Sequence, residues 1–170
     1  AGHNVAVCAL RGEHPAAGRL RQAGIEVTCL GAHRGSVRTL VGIGKRVRHD
    51  DIDVLHVTQR ESSVVARALR PFIPETAVIM HVVDTAPVAV AERWINRLLP
   101  QPDATLCVSG AVRATAVREY GTAEQRVRVL HNGVNLAALK PSRPDVRERL
   151  RTQWAVRRDA VVVTSTSRFH

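Results

Sequence analysis

Residues 127–135 read Val-Arg-Val-Leu-His-Asn-Gly-Val-Asn, and this stretch decides how the rest of the chain is interpreted. Its β-branched apolar residues favour a strand, and His131-Asn132-Gly133 place polar side chains and a flexible backbone at the end of that strand. Asn132-Gly133 is also compatible with a two-residue hairpin turn. The following residues, 136–139, alternate poorly for a second strand, so a loop entering a cleft is the better interpretation.

Upstream of this stretch, short apolar runs alternate with patterns typical of helices. The runs predict strands at 4–10, 25–30, 53–58, 76–83, 104–108 and 127–130, with helices at 15–23, 36–48, 87–99 and 111–120 and one ending at Arg70. This alternation predicts parallel β-α-β units and an α/β fold with a doubly wound, Rossmann-like sheet. Ligands of such sheets bind at the carboxyl ends of the strands, which makes the polar residues there candidates for a site.

Two of the predicted helices have a distinct distribution of side chains. In the helix at 87–99, we expect the apolar residues to face inward; these are Val88, Ala91, Trp94, Ile95 and Leu98. Near the helix at 36–48, four basic residues share one face, namely Arg34, Arg38, Lys45 and His49. That basic face is predicted to be solvated, with contact to an anionic membrane surface as the alternative.

The composition is that of a basic globular protein. Lysine and arginine total 25 against 15 aspartate and glutamate residues, a net charge of +10 that favours anionic partners. Aromatic residues make up only 3%, which disfavours nucleic acid because stacking side chains are scarce. The sequence shows neither a signal peptide nor a membrane-spanning run. Cys8, Cys29 and Cys107 lie in apolar runs, which predicts buried thiols in a cytoplasmic protein.

No common nucleotide-binding fingerprint is present. Gly42-Ile43-Gly44-Lys45 suggests a phosphate loop, but Thr39 occupies the first glycine position and Arg46 the position of the serine or threonine. The dinucleotide pattern fails as well, because Val47 stands at its third glycine. These departures argue against a dinucleotide-dependent reductase.

The last part of the chain indicates a second domain. A charged helix is predicted at about 145–154 and a strand at 161–166, and we place the boundary near residues 141–144.

Several of these segments together resemble the retaining glycosyltransferases of family four, which have two Rossmann-like domains in the GT-B fold. Residues 102–109 resemble the family's "ADxVIxVS" strand, and residues 126–135 resemble its "RIxVIPNGVD" signature. Leu139-Lys140-Pro141 matches the usual "FxP" exit. Residues 53–57 and 78–84 resemble "DVVHVH" and "vvyTvHD".

The resemblance implies how the chain is divided. Residues 1–141 would form the acceptor-side domain without its first strand, and residues 142–170 the start of a donor-binding domain, so the chain would be truncated at both ends. In the family's 3-2-1-4-5 sheet the first strand is central. The first two strands predicted here, 4–10 and 25–30, would therefore lack a neighbouring strand on the side that faces the third predicted strand, 53–58.

Candidate site residues follow from the strand ends and from the resemblance. His81 matches the family's histidine beside the acceptor and the transferred sugar, and its imidazole can hydrogen-bond a sugar hydroxyl. The candidate acceptor-binding residues are Arg60, Glu61, Asp84 and Ser109. Glu61 also suits a helix N-terminus, Asp84 a helix cap, and Ser109 an N-cap. The candidate donor-binding residues are Asn132, Gly133 and Arg168, the last because the family's matching arginine holds the donor diphosphate.

The resemblance implies a glycosyltransferase that moves a sugar from a nucleotide-sugar donor to a glycan or lipid-linked acceptor with retention of configuration. It implies no metal and no cofactor, the nucleotide sugar being a substrate. The 170-residue chain by itself would be inactive, and the protein would be cytoplasmic, with peripheral contact to the inner face of the membrane. The alternative is a non-catalytic basic α/β module that binds anionic lipid or nucleic acid.

Overall fold

The computed structural model describes residues 2–31, 37–86, 88–137 and 143–164. The chain divides into two compact units, residues 1–132 and 133–170. In the first unit, strands and helices alternate in the predicted order: β1 (Ala6–Ala9), α1 (Pro15–Gln22), β2 (Glu26–Cys29), α2 (Val37–His49), β3 (Val54–Thr58), α3 (Arg60–Leu69), β4 (Ala77–Val82), α4 (Val90–Leu98), β5 (Ala104–Cys107), α5 (Gly110–Tyr120) and β6 (Val127–Val129). The α/β, Rossmann-like fold is confirmed.

All strand pairs in the described residues are parallel, but they belong to two separate sheets. Strands β3, β4, β5 and β6 pair in that order, and β1 pairs with β2. The register places Thr58 of β3 opposite His81 of β4, so the carboxyl ends of these strands lie side by side. No ladder joins β1 to β3 within the described residues, in agreement with the strand order that the resemblance implied.

The larger sheet has one face packed against helices. On β4 and β5, alternate residues are fully buried, among them Val78, Met80 and Cys107. Val57 and Val78 pack with Ala66 and Leu69 of α3 and with Ile43 of α2. Met80, Val82 and Cys107 pack with Val112 and Ala116 of α5. The alternate positions, such as His56 and His81, lie on the less covered face, so polar side chains are tolerated there.

A buried arginine joins α3 to the end of α4. Arg67 is only 1% exposed, and its guanidinium donates to Asn96 Oδ1 at 2.9 Å, to the Asn96 carbonyl, to the Leu99 carbonyl at 3.1 Å and to the Pro100 carbonyl at 2.8 Å. Because Pro100 has no N–H, the Asn96 carbonyl lacks its usual helical partner. The cation therefore satisfies the carbonyl groups that the C-terminus of α4 leaves unpaired.

The predicted orientation of α4 is wrong for most of its residues. Asn96 is buried, whereas Trp94, Ile95 and Leu98 are exposed; of the residues expected to face inward, Val88 is buried just before the helix. The reason is the contact between Asn96 and Arg67, which turns the polar side of the helix toward the protein. A buried guanidinium without hydrogen-bond partners would cost more than the exposure of a few apolar side chains.

The cysteines are not all buried as expected. Cys107 is buried, Cys29 is partly buried, and Cys8 is exposed. Cys8 is exposed because β1 pairs on one side only and its sheet is small.

The second unit contains α6 (Pro144–Gln153). After α6, Arg151 donates to the carbonyl groups of Arg157 at 2.6 Å and Ala160 at 2.9 Å, which holds a turn. Residues 161–164, the described part of the last predicted strand, pair with no strand in the described chain. Leu139-Lys140-Pro141 and Arg168 lie outside the described residues. The domain boundary near residue 141 stays a prediction.

We expect Arg67→Met to lower the free energy of unfolding by about 3 kcal/mol, because it leaves several buried acceptors unpaired at once. Urea denaturation measures the loss. The same replacement of the exposed Arg38 on α2 serves as the control and should change stability by less than about 0.5 kcal/mol. Equal effects at the two positions would contradict the structural role of Arg67.

Candidate functional site

A cleft of about 280 Å³ lies at the carboxyl ends of β3 and β4. Four of the predicted site residues line it: Arg60, Glu61, His81 and Asp84. The remaining lining residues are Gln59, Ser63, Met80, Val82, Val83 and Tyr120. This is the edge at which a parallel sheet is expected to bind its ligand. The volume of the cleft lies just below the range of about 300–1,000 Å³ that is usual for small-molecule sites, so the cleft suits a small ligand.

Arg60 connects the cleft to the segment between β4 and α4. Its guanidinium donates to the Ala86 carbonyl at 2.5 Å. The same group lies 3.8 Å from Asp84 Oδ1 and 3.7 Å from Glu92 Oε2. Asp84 Oδ1 in turn accepts from the Ala86 amide at 3.1 Å, so Asp84 holds a turn rather than the N-cap of α4. Arg60 thus positions one wall of the cleft.

Glu61 lies in the first turn of α3, and its carboxylate pairs with Arg11, which follows β1. Arg11 Nη2 is 2.9 Å from Glu61 Oε1 and 3.0 Å from Oε2. Both side chains are more than one-third exposed, so the pair stabilises the fold only weakly. Its effect is local: it brings the ends of the two separate sheets together beside the cleft. Arg11 directly follows the first predicted strand, 4–10, but it was not among the predicted site residues.

Gln59, which separates β3 from α3, has an unusual backbone with φ of 71° and ψ of 159°. A side chain is strained in this conformation, which favours glycine. The conformation directs the Gln59 carbonyl into the first turn of α3, where it accepts from the Ser63 amide at 3.1 Å and from Ser63 Oγ at 2.8 Å. The chain therefore bends at Gln59, and Arg60 and Glu61 follow this bend as the first two residues of α3.

His81 and His56 form a stacked pair on neighbouring strands. Their ring centroids are 5.4 Å apart with an interplanar angle of 20°. His81 Nε2 is buried and has no hydrogen-bond partner among the described residues, which is unusual for a polar atom and common at binding sites. Burial, and secondarily the neighbouring His81, lower the pKa of His56. The lowered pKa favours the neutral form of His56, so an uncharged imidazole stacks on the ring of His81.

Tyr120 is a lining residue that the sequence reasoning missed and that lies far from β3 and β4 in the sequence. It is the last residue of α5, and it lies beside the cleft because α5 packs against the sheet. Burial raises the pKa of its hydroxyl, whereas the positive charge of Arg60 acts in the opposite direction. Gly121, with φ of 63°, ends the helix directly after Tyr120. The sequence analysis placed Tyr120 at the end of the predicted helix 111–120, and no local signal pointed to the cleft.

Two other predicted site residues of the first unit, Ser109 and Asn132, are not among the residues that line the cleft. Ser109 is the N-cap of α5, its Oγ accepting from the Val112 amide at 3.3 Å. Asn132 and Gly133 are exposed. Gly133 has no positive φ, and a Cβ there would meet no atom, so its backbone does not require glycine. Their roles, like that of Arg168, stay predictions.

The side chains around the cleft suit a neutral ligand with many hydroxyl groups. His81, Tyr120, Glu61 and Asp84 offer donors and acceptors, and Arg60 adds a fixed positive charge. In the part of the chain that the structure describes, no three His, Cys, Asp or Glu side chains are grouped closely enough to hold a metal ion. Within the same residues, no helix is long and apolar enough to cross a membrane.

Comparison with known proteins agrees with the resemblance. The model of Glycosyltransferase Family 4 matches residues 1–138. The crystal structure of a glycosyltransferase from Rickettsia africae superposes on this chain with a TM-score of 0.67 and 15% sequence identity. The match covers 92% of this chain and 42% of the Rickettsia protein. Anabaena Alr3699/HepE, solved in complex with UDP and with UDP and glucose, shares 18% and 17% identity. Its TM-scores are 0.68 and 0.66, with 88% of this chain and 42% of that one covered.

At these identities the solved structures show a shared fold, and this chain spans 42% of their length. No curated protein sequence matched the chain.

The lowered pKa of His56 gives a pH dependence of stability. The pKa of histidine in an unfolded chain is about 6.5. As the pH falls below that value, His56 is protonated in the unfolded chain more readily than in the folded protein, where its pKa is lower. The contribution of His56 to stability is therefore complete above about pH 6.5 and is lost as the pH falls toward its lowered folded pKa. We expect His56→Phe, which keeps a ring beside His81, to lose less stability between pH 7.5 and about 5.5 than the wild type does. Urea denaturation at both pH values measures this; parallel losses in the two proteins would contradict it.

Proposed function

We propose that this chain, which belongs to glycosyltransferase family 4, forms the acceptor side of an enzyme that transfers a sugar from a nucleotide-sugar donor with retention of configuration. The observation that carries the proposal is the cleft lined by His81, Arg60, Glu61 and Asp84. All four residues were predicted at strand ends, and His81 was also matched to the histidine of the family motif. The four side chains line the same cleft. An acceptor glycan or lipid-linked sugar would occupy this cleft.

In the proposed reaction, His81 hydrogen-bonds a sugar hydroxyl near the reacting carbon. Its buried and unpartnered Nε2 supports that role, because a ligand would supply the missing partner. The stacked His56 fixes the plane of the ring, and Arg60 holds the segment between β4 and α4 through the Ala86 carbonyl. We propose that no metal takes part and that a donor phosphate oxygen accepts the proton of the acceptor hydroxyl.

The donor is proposed to contact Asn132, Gly133 and Arg168. Arginine is suited to this role because its forked donors match phosphate oxygens. The Anabaena protein was crystallised with UDP and glucose, which supports a uridine diphosphate sugar as the first donor to test. We further propose a cytoplasmic location with peripheral contact to the inner face of the membrane.

The basic composition also raised a non-catalytic module as the alternative. That module would bind polyanions with a steep dependence on salt concentration and would show no sugar transfer. The two functions are therefore distinguished by a transfer assay together with a salt titration. Membership of a glycosyltransferase family and the hydroxyl-binding character of the cleft favour the enzyme.

We expect His81→Ala to lower kcat/KM for sugar transfer by about 100-fold in the intact protein, because a buried hydrogen bond to the reacting sugar is lost. Transfer from labelled nucleotide sugars measures the loss, and NMR of the product gives the anomeric configuration. The exposed His3 provides a matched control, since His3→Ala removes the same group far from the cleft in sequence. Full activity of His81→Ala, with its unfolding midpoint unchanged, would refute the assigned role.

We expect the purified 170-residue chain to release no sugar from a nucleotide-sugar donor. It spans 42% of the length of the related structures, and the proposal assigns it the acceptor side. A two-domain member of the family assayed in parallel shows that the conditions support transfer. Turnover by the 170-residue chain alone would overturn this part of the proposal.

A further inference from the structure

Helix α4 presents its apolar side away from the protein. Val90, Trp94 and Leu98 follow one another at intervals of four residues and are 68%, 59% and 82% exposed. Ile95, on the adjoining side of the same arc, is also exposed. At 100° per residue the centre of this arc lies opposite the buried Asn96. The outer surface of α4 is thus a continuous apolar stripe, formed by Val90, Trp94, Ile95 and Leu98.

Positive charge borders the stripe on one side. Arg97 stacks on the Trp94 ring with its guanidinium carbon 5.8 Å from the ring centre. Arg93 lies 2.6 Å from Glu119 of α5, and Arg118 lies 2.8 Å from the same carboxylate. The hydrogen bond from Arg118 is the main cause that lowers the pKa of Glu119, and Arg93 and Arg97 add to it. Three guanidinium groups thus surround one carboxylate, which leaves a surplus of positive charge.

The other carboxylate of α4 does not cancel this surplus. Glu92 lies 3.7 Å from Arg60, toward the cleft, and only 26% of its side chain is exposed. The apolar stripe and the guanidinium groups therefore present a surface without a free acidic group on α4. Exposed apolar side chains that include a tryptophan, bordered by arginine, are the features of helices that lie in a membrane interface.

We propose that the outer face of α4 docks on an anionic lipid surface, with Val90, Trp94, Ile95 and Leu98 inserted among the acyl chains and Arg93, Arg97 and Arg118 toward the headgroups. Helix α4 has nine residues and is about 14 Å long, so it would lie in the plane of the interface. This surface gives the proposed peripheral location a physical basis, and it differs from the basic face of α2 considered from the sequence.

A second copy of the chain fits this surface less well. Stable dimers bury about 800 Å² on each partner, more than four apolar side chains on a single short helix supply. Two such faces would also bring their arginine residues together, which is repulsive. Acidic lipid headgroups neutralise the same residues, so the charge favours a membrane.

The test is vesicle flotation of the intact protein with phosphatidylcholine vesicles, with and without phosphatidylglycerol. We expect binding to the anionic vesicles only, weakening as salt is added. Leu98→Gln should reduce the apparent affinity by about tenfold, because an inserted leucine is lost. Leu136→Gln is the matched control: Leu136 is 77% exposed but lies outside α4, and its replacement should leave binding unchanged.

Fluorescence identifies the inserted residue. The 170-residue chain has two tryptophans, so in that chain Trp154→Phe leaves Trp94 as the reporter. Its emission should shift to shorter wavelength on anionic vesicles and stay unchanged on neutral ones. Equal binding by Leu98→Gln and the wild type, or equal binding to neutral vesicles, would overturn the proposal. So would a dimer in sedimentation that Leu98→Gln dissociates without any vesicle binding. Flotation needs no sugar transfer, so this surface and the proposed transferase can fail separately.

Discussion

A buried cation, Arg67, that pairs with no carboxylate among the described residues is the constraint around which the first unit is arranged. The guanidinium of Arg67 is satisfied by an amide oxygen and three carbonyl oxygens at the end of α4. Burying such a group demands nearly complete hydrogen bonding, so α3 and α4 are fixed in both distance and rotation. Since α3 also carries Arg60 and Glu61 at its other end, the same helix determines the geometry of the cleft.

The arginine side chains at the two ends of α3 thus have different roles. At the C-terminal end, Arg67 is enclosed and structural, while at the N-terminal end Arg60 is half-buried and braces the segment that includes Asp84 and Ala86. Helix α4 is held at both ends by these arginines, through Asn96 and Glu92. Its apolar residues are left on the outside as a direct result.

The fold was predictable from the sequence because its signals are local: β-branched runs, helix periodicity, and the proline and glycine residues that bound them. The rule that parallel sheets bind at strand ends placed His81, Arg60, Glu61 and Asp84 together. Two features escaped this reasoning. Tyr120 reaches the cleft through tertiary packing, and the rotation of α4 depends on Arg67, which lies 29 residues before its partner Asn96. Hydrophobic periodicity assumes that apolar side chains face inward, and a buried arginine reverses that assumption.

The separation of the parallel strands into two sheets affects how the protein opens. Within the described residues, the ladder hydrogen bonds of β1 and β2 are made only between these two strands, so both can detach without breaking any bond of the β3–β6 ladder. Side-chain contacts retain them: Leu10 and Leu30 pack against the core beside α2, Arg46 of α2 bonds Glu26 and Thr28 of β2, and Arg11 pairs with Glu61. The first two strands therefore form a unit of local unfolding whose amides exchange with solvent sooner than those of β4 and β5. Because Arg11 moves with that unit, each opening also removes one ion pair from the rim of the cleft.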